Sequence, residues 1–451
     1  GISALGDAAV DVALPGHLPP GEGEEEEEAG DAETEEDGGV PDEHGLCEHL
    51  GERRQEVIEQ YRKEWLSEED FHWLREHGVN AVRIPLGYWI VTGPTHGDLY
   101  VGPALEHLDR AVDLAERCGL QVVLDLHGNP GGESGEAPCG RKSGSWAEAS
   151  WRREEALEVL AALARRYARR GCVAGMQVAN EPALNCSMAS LCSWYEQAIE
   201  AVRRGGMDAG RVAVILPVYW YDRLKEFLQV WLPRGNFLRY ENVALDFHFY
   251  QCFGSGWEVL SHRDHVRVAQ RHGQILRSLP GSLVGEWSLA RPAQVLATAD
   301  MEREFGEAQL EAYAAASHGW FFWTYSDQAD HWDLQTCLDN GWLPPGLRAA
   351  RAAGASAPGL RVNGEAPPRS LQRGPPPEGF PRCYGPDDFS QLPRRSGQPA
   401  DAAAAEEQRR QAASLAEATG RPEDEAAEAL RACAGNDAAA AARLLASAAA
   451  E

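Results

Sequence analysis

Val173-Ala174-Gly175-Met176-Gln177-Val178-Ala179-Asn180-Glu181-Pro182 is a short apolar run that ends in an amide and a carboxylate and is closed by proline. Ser282-Leu283-Val284-Gly285-Glu286-Trp287 repeats the plan further along the chain, again with a carboxylate at its end. Short apolar runs bounded by turn residues read as strands, and their alternation with amphipathic stretches reads as an α/β fold with a parallel sheet. The same pattern predicts strands over Val79–Leu86, Gln121–Gly128, Val173–Glu181, Arg211–Val218, Val243–Tyr250, Ser282–Trp287 and Gly319–Tyr325. Apolar residues three or four apart predict helices between them, over Pro103–Cys118, Trp151–Arg170, Ser190–Arg204, His262–Ser278 and Met301–Ser317.

This succession suggests a (β/α)8 TIM barrel whose first strand the sequence does not place. The strands end in residues able to do chemistry: Arg83, His127, Asn180 with Glu181, His248 with Tyr250, Glu286 and Trp323. A (β/α)8 barrel builds its site at the C-terminal ends of its strands, so these side chains should converge. A doubly wound sheet would also put ligands at strand ends, but would not gather all of these residues around one axis.

Two strand-end carboxylates among aromatics suit the cleavage of a glycosidic acetal. Retention of configuration needs a nucleophilic carboxylate and a carboxylic acid about 5 to 5.5 Å apart, whereas inversion needs a wider gap that admits water. Neither route needs a metal or an organic cofactor, because the carboxylates themselves supply acid, base and nucleophile.

From about Trp65 to Pro345 the chain resembles glycoside hydrolase family 5, most closely its exo-β-1,3-glucanase branch. The resemblance is carried by Trp65-Leu66-Ser67-Glu68-Glu69-Asp70-Phe71, Val82-Arg83-Ile84-Pro85-Leu86-Gly87-Tyr88-Trp89, Leu124-Asp125-Leu126-His127-Gly128-Asn129-Pro130-Gly131-Gly132, Asn180-Glu181-Pro182, His248-Phe249-Tyr250-Gln251-Cys252-Phe253, Gly285-Glu286-Trp287-Ser288 and Gly319-Trp320-Phe321-Phe322-Trp323-Thr324. Each is weak alone; their order and spacing together are specific. The resemblance implies Glu181 as acid/base, Glu286 as nucleophile, and Asn180 as donor to the sugar 2-hydroxyl. It implies Arg83 as the charge partner of the nucleophile, with His127, His248 and Tyr250 orienting sugar and carboxylates. Trp323 would be the apolar floor, and Phe253 an aromatic at the entrance. The implied substrate is a β-glucan or β-glucoside. Endo-β-1,4-glucanase, mannanase, transglycosylase and a non-catalytic carbohydrate-binding scaffold are the alternatives the same barrel allows.

Each residue also has a structural reading: Arg83 as a buried ion-pair partner, the histidines and Trp323 as core. The two glutamates have the weakest such reading, because an unpaired carboxylate is costly to bury. The chain departs from the branch in two places. Fungal members carry a Ser-Gln-Asn-Gly-type loop where this chain has Gly132-Glu133-Ser134-Gly135, continuing through Cys139-Gly140-Arg141. The opening Gly1-Ile2-Ser3-Ala4-Leu5-Gly6 does not match the branch's first strand, near which a glutamate grips the terminal sugar.

The 451 residues, 43% of them hydrophobic, suffice for one barrel over residues 45–350 plus appendages. A net charge of −28 argues against a nucleic-acid partner. Much of that charge lies in Glu22–Glu43, so residues 1–44 read as an acidic, solvated and disordered segment. No apolar run is long enough to span a bilayer. The ten cysteines form no C-x-x-C pair; Cys186 and Cys192 are either a loop bridge or free thiols. Residues 351–400, rich in Pro, Gly and Arg, read as a linker. Residues 401–451 read as three short helices resembling a ubiquitin-associated (UBA-like) domain, or as an alanine-rich tail without a partner. Family resemblance implies an extracellular or cell-surface site and a first residue other than Met is compatible with a removed leader, whereas a ubiquitin-binding tail suits the cytoplasm.

Overall fold

The computed structural model describes residues 9–11 and 42–347 except 222, 255, 296 and 328. The linker over 351–400, the UBA-like helices over 401–451 and most of the acidic segment lie outside the described residues. Seven parallel strands form one sheet in chain order: β1 (Ala9–Asp11), β2 (Ala81–Gly87), β3 (Gln121–Gly128), β4 (Val173–Gln177), β5 (Ala213–Tyr219), β6 (Val243–His248) and β7 (Ser282–Glu286). The helices are α1 (Glu43–Leu50), α2 (Arg54–Glu64), α3 (Glu68–Glu76), α4 (Tyr88–Thr92), α5 (Leu105–Arg117), α6 (Arg153–Tyr167), α7 (Met188–Arg204), α8 (Arg223–Trp231), α9 (Asn236–Arg239), α10 (His262–Ser278), α11 (Ala299–Tyr313) and α12 (Leu334–Asp339).

The first strand, unplaced by sequence pattern, lies inside the acidic N-terminal segment: Ala9–Asp11 pair with Ala81–Arg83. Within residues 1–44, expected to be a disordered segment, the structure describes this strand and, at the other end, the start of α1. Asp42 and Glu43 are buried, and Asp42 caps α1 by accepting from the Gly45 amide at 2.7 Å. Three residues offer too little period for a strand to be read from sequence; pairing with β2 is what makes them one. At the eighth position, where Gly319–Tyr325 was predicted, a short stretch bonds to β7 without forming a full strand. The Val284 amide donates to the Gly319 carbonyl at 3.1 Å and the Phe321 amide to the Val284 carbonyl at 2.8 Å. The order is consistent with a (β/α)8 barrel.

The sheet is curled, because residues from non-adjacent strands meet on one face. Ala81, Val123, Ala174, Ala213, Ile215, Ala244, Leu283 and Phe321 form a single buried cluster drawn from β2 to β7 and the eighth stretch. Small residues from some strands make room for Phe321 and Ile215, so this interior is a filled layer and not a pore. Helices cover the outer face. Leu108, Ala111, Val112 and Ala115 give α5 its buried stripe, and α3 opens with a capping box in which Ser67 and Asp70 bond each other's backbone. The same Asp70 accepts from the Tyr325 hydroxyl at 2.8 Å, tying α3 to the end of the eighth stretch. Cys186 and Cys192 are buried free thiols.

Phe321 is fully buried at the centre of this inner layer. Phe321→Ala should therefore lower the unfolding free energy by about 3–5 kcal/mol. Denaturant titration checks this, and a loss below about 1 kcal/mol would mean that the layer does not close around that ring.

Candidate active site

Side chains alternate across a strand, so Ala81 and Arg83 on β2, Val123, Asp125 and His127 on β3, and Ala244, Asp246 and His248 on β6 face the same interior. Above the apolar layer sits a buried polar one. Arg83 is fully buried, and its Nε donates to Gln177 Oε1 at 2.9 Å. Its Nη1 donates to Glu286 Oε1 at 3.1 Å, and its Nη2 donates to Asn180 Oδ1 at 3.0 Å and lies 2.9 Å from Asp125 Oδ2. One guanidinium thus binds groups from β3, β4 with its following loop, and β7, and its planar fork presents fixed donors to all of them.

The layer continues around the axis. Asp125 lies 2.7 Å from His127 Nδ1, and Gln177 Nε2 donates to Asp246 Oδ2 at 2.8 Å. Asp246 Oδ1 accepts from the Gly285 amide at 2.6 Å. A Cβ at Gly285 would lie 2.4 Å from that oxygen, so glycine is required beside the carboxylate of Glu286.

His248 holds the centre. Its Nε2 lies 3.1 Å from Asp246, and its Nδ1 lies 2.6 Å from Glu181 and 3.4 Å from Glu286. Burial alone would lower its pKa. The charges of Glu286 and Asp246 and the hydrogen bonds to Asp246 and Glu181 outweigh burial and hold it well above the ordinary histidine value. The ring thus faces carboxyl groups from both nitrogens and stands between Glu181 and Glu286, whose nearest oxygens are within 4.8 Å of one another. That triad has the groups to ligate a metal ion, but both imidazole nitrogens already face carboxylates. The Tyr250 hydroxyl donates at 2.8 Å to Glu286 Oε2, the oxygen that Arg83 does not bind.

His127, Asn180, Glu181, Tyr250 and Glu286 line a cavity of about 470 Å³ that also takes in Trp89, Gly140, Phe253 and Trp332. Trp323 forms part of its wall, stacked on His127 at 5.6 Å and 6.0 Å from the Arg83 guanidinium carbon. Half-exposed Phe253 stands at the rim against Tyr250 and Trp332, with ring centroids 5.2 and 5.8 Å away. All nine sequence-predicted residues, Arg83, His127, Asn180, Glu181, His248, Tyr250, Phe253, Glu286 and Trp323, thus border one cavity or the network beneath it. Asn180 and Glu181 lie in the loop just beyond β4, which ends at Gln177, four residues before the end of the predicted strand at Glu181.

Several residues of the site escaped the sequence reading. Asp125, Gln177 and Asp246 carried a signal: each sits two or three residues before a chosen residue, in an otherwise apolar strand where a polar group needs a buried partner. Trp332 comes from a loop and carried none. Glu43, at the end of the acidic run, lines the cavity with Oε1 accepting from Arg62 at 2.8 Å and Trp89 at 3.0 Å. Burial raises its pKa to about 7 against the pull of Arg62. Its local sequence, a string of like charges, resembles solvated chain, and only the partners Arg62 and Trp89 distinguish it.

Residues 51–329 match the family model "Cellulase (glycosyl hydrolase family 5)". The chain is 30% identical over 352 residues to "Probable glucan 1,3-beta-glucosidase A" of Aspergillus niger, covering 68% of this chain and 81% of that one. It is 30% identical over 356 residues to "Glucan 1,3-beta-glucosidase" of Schwanniomyces occidentalis, covering 68% and 80%. Among solved structures, rutinosidase from Aspergillus niger shares the fold with a TM-score of 0.55 at 22% identity, over 68% of this chain and 90% of that chain. With a family model spanning more than half of the sequence and relatives at this identity, the chain belongs to glycosyl hydrolase family 5 and is an O-glycosyl hydrolase.

Proposed function

We propose that the chain is a retaining β-glucan hydrolase, acting as a glucan 1,3-β-glucosidase that releases glucose from chain ends. The observation that carries the mechanism is the gap between carboxylates. Oxygens of Glu181 and Glu286 lie within 4.8 Å, a spacing suited to double displacement, whereas inversion calls for about 6.5–9.5 Å between the groups. The choice of β-1,3-glucan rests on the relatives named glucan 1,3-beta-glucosidase.

In this reading Glu286 Oε attacks the anomeric carbon while Glu181 gives its proton to the departing glycosidic oxygen. The C–O bond to the leaving group breaks as the glycosyl ester to Glu286 forms. Glu181, now a carboxylate, takes a proton from water, whose oxygen attacks the anomeric carbon and frees Glu286. Arg83 and Tyr250 each hold one oxygen of Glu286, so the nucleophile is fixed in place without side-chain rearrangement. Asn180 offers its carbonyl to Arg83 and keeps its amide hydrogens toward the cavity, where a sugar hydroxyl would accept them. Trp323 supplies a flat apolar surface for the reacting ring. Phe253 and Trp332 at the rim would stack against the next sugar.

Glu286→Ala should leave no measurable turnover of laminaribiose, and azide should restore it on an activated aryl glucoside with formation of the α-glucosyl azide. Glu181→Ala should lose about 10²–10⁴-fold on laminaribiose but little of the glycosylation rate on 2,4-dinitrophenyl β-glucoside, and azide should trap its intermediate as the β-azide. Ordinary activity of both variants on oligosaccharides would reverse these assignments. Proton NMR of the earliest laminarin products should show β-glucose; internal oligosaccharides or the α-anomer would overturn the exo or the retaining part of the proposal respectively.

A further inference from the structure

Glu133 is a buried ionisable group for which the mechanism above has no use. It sits in the loop after β3, the segment in which this chain differs from the expected Ser-Gln-Asn-Gly pattern. Gly131 and Gly132 hold φ of +78° and +76°, and a Cβ on Gly131 would lie 1.9 Å from the Ser150 carbonyl oxygen, so glycine is needed for the turn. That turn carries Glu133 inward, where it is 1% exposed. The Asn129 amide donates to Glu133 Oε2 at 3.0 Å, and the Ala183 amide donates to the Glu133 carbonyl at 2.9 Å. The residue therefore spans two segments: the loop that follows β3 from Asn129, and the β4 loop that carries Asn180 and Glu181.

No lysine, arginine or histidine pairs with this carboxyl among the described residues, and the titratable groups facing it, Asp125, the Cys139 thiol and the Tyr219 hydroxyl, are acids. Burial pushes its pKa up to about 8, with Asp125 adding to the rise, against the amides of Asn129, Glu133 itself and Asn180, which favour the charge. A neutral acid has the shape and hydrogen-bonding pattern of an amide side chain, which makes glutamine its natural mimic.

We propose that Glu133 is a positioning residue for the acid/base step: buried without a cation between the β3 loop and the segment after β4, it holds the Asn129 amide with its carboxyl and the Ala183 amide with its backbone, and thereby fixes where Glu181 meets the leaving group. The proposal rests on the assignment of Glu181 as acid/base. Ionisation of Glu133 would place a second charge beside Asp125 without a cation to balance it, and would loosen that junction. A folded-state pKa above the unfolded value means that stability falls as pH rises from 4.5 to about 8 and levels off beyond. Replacing the acid by an amide should remove that slope.

The test compares E133A and E133Q with wild type on laminaribiose and on 2,4-dinitrophenyl β-glucoside, with Tm measured across pH. E133A should lose about 10- to 100-fold in kcat/KM on laminaribiose, a displaced-acid effect, and far less on the dinitrophenyl glucoside, whose departure needs no proton. E133Q should recover most of the laminaribiose activity, and its Tm should gain on that of wild type as pH rises from 4.5 to about 8 and level off beyond. Equal losses on both substrates, or E133Q as impaired as E133A, would overturn the proposal by making Glu133 a packing residue. If E133A does not fold, E133Q decides: a Tm difference from wild type that is constant with pH overturns it. E181A measured beside them separates the two assignments, since absence of a leaving-group effect in E181A means that Glu181 is not the acid, whatever Glu133 does.

Discussion

The buried guanidinium of Arg83 is the interaction on which the site depends. A positive charge removed from water in the middle of a barrel is costly, and it is tolerated because Asp125, Glu286, Gln177 and Asn180 converge on it with hydrogen-bonding geometry. Those partners come from separated segments of the chain. The need to satisfy one cation therefore sets how the ends of β2, β3, β4 and β7 sit relative to one another. Breaking such a group by removing a single partner leaves an uncompensated charge and costs about 3–5 kcal/mol, so fold and site are stabilised by the same contacts.

His248 solves a different problem. Two carboxyl groups within 4.8 Å of each other need partners that fix their oxygens. His248 stands between them and is itself oriented from below by Asp246, which also holds the Gly285 amide next to Glu286. The polar layer is thus continuous from Asp125 through Arg83, Gln177 and Asp246 to His248. Each member is bonded on more than one side, which makes such networks rigid. Glu133 is the exception, an acid without a balancing cation, and it lies at the junction between the loop that follows β3 and the loop that carries Glu181.

Apolar surface defines the rest of the cavity. Trp323 forms a wall beneath the carboxylates, and the Tyr250, Phe253 and Trp332 cluster builds an aromatic rim. Aromatic faces suit the flat C–H face of a sugar ring, and the half-exposed position of Phe253 is one that a packed core would not choose. Glu43 and Arg62 form a buried ion pair that lines the same cavity, so the N-terminal acidic segment ends as part of the wall.

The sequence by itself determined the succession of strands and helices, since hydrophobic period and turn residues are local signals: α10 occupies the predicted His262–Ser278, and β3 the predicted Gln121–Gly128. It also determined which side chains stand at strand ends, because the motifs around Glu181 and Glu286 are contiguous. The tertiary structure alone decided what has no local signature. The three residues of β1 are a strand only because β2 lies beside them. Asp125, Gln177 and Asp246 are polar in buried strands, and their partners lie on other strands. Glu43 and Glu133 read as surface acids until long-range burial removes water from them. Contacts distant in the chain set the dielectric and the charge around each acid, and these decide whether a carboxyl is solvated, paired or held neutral.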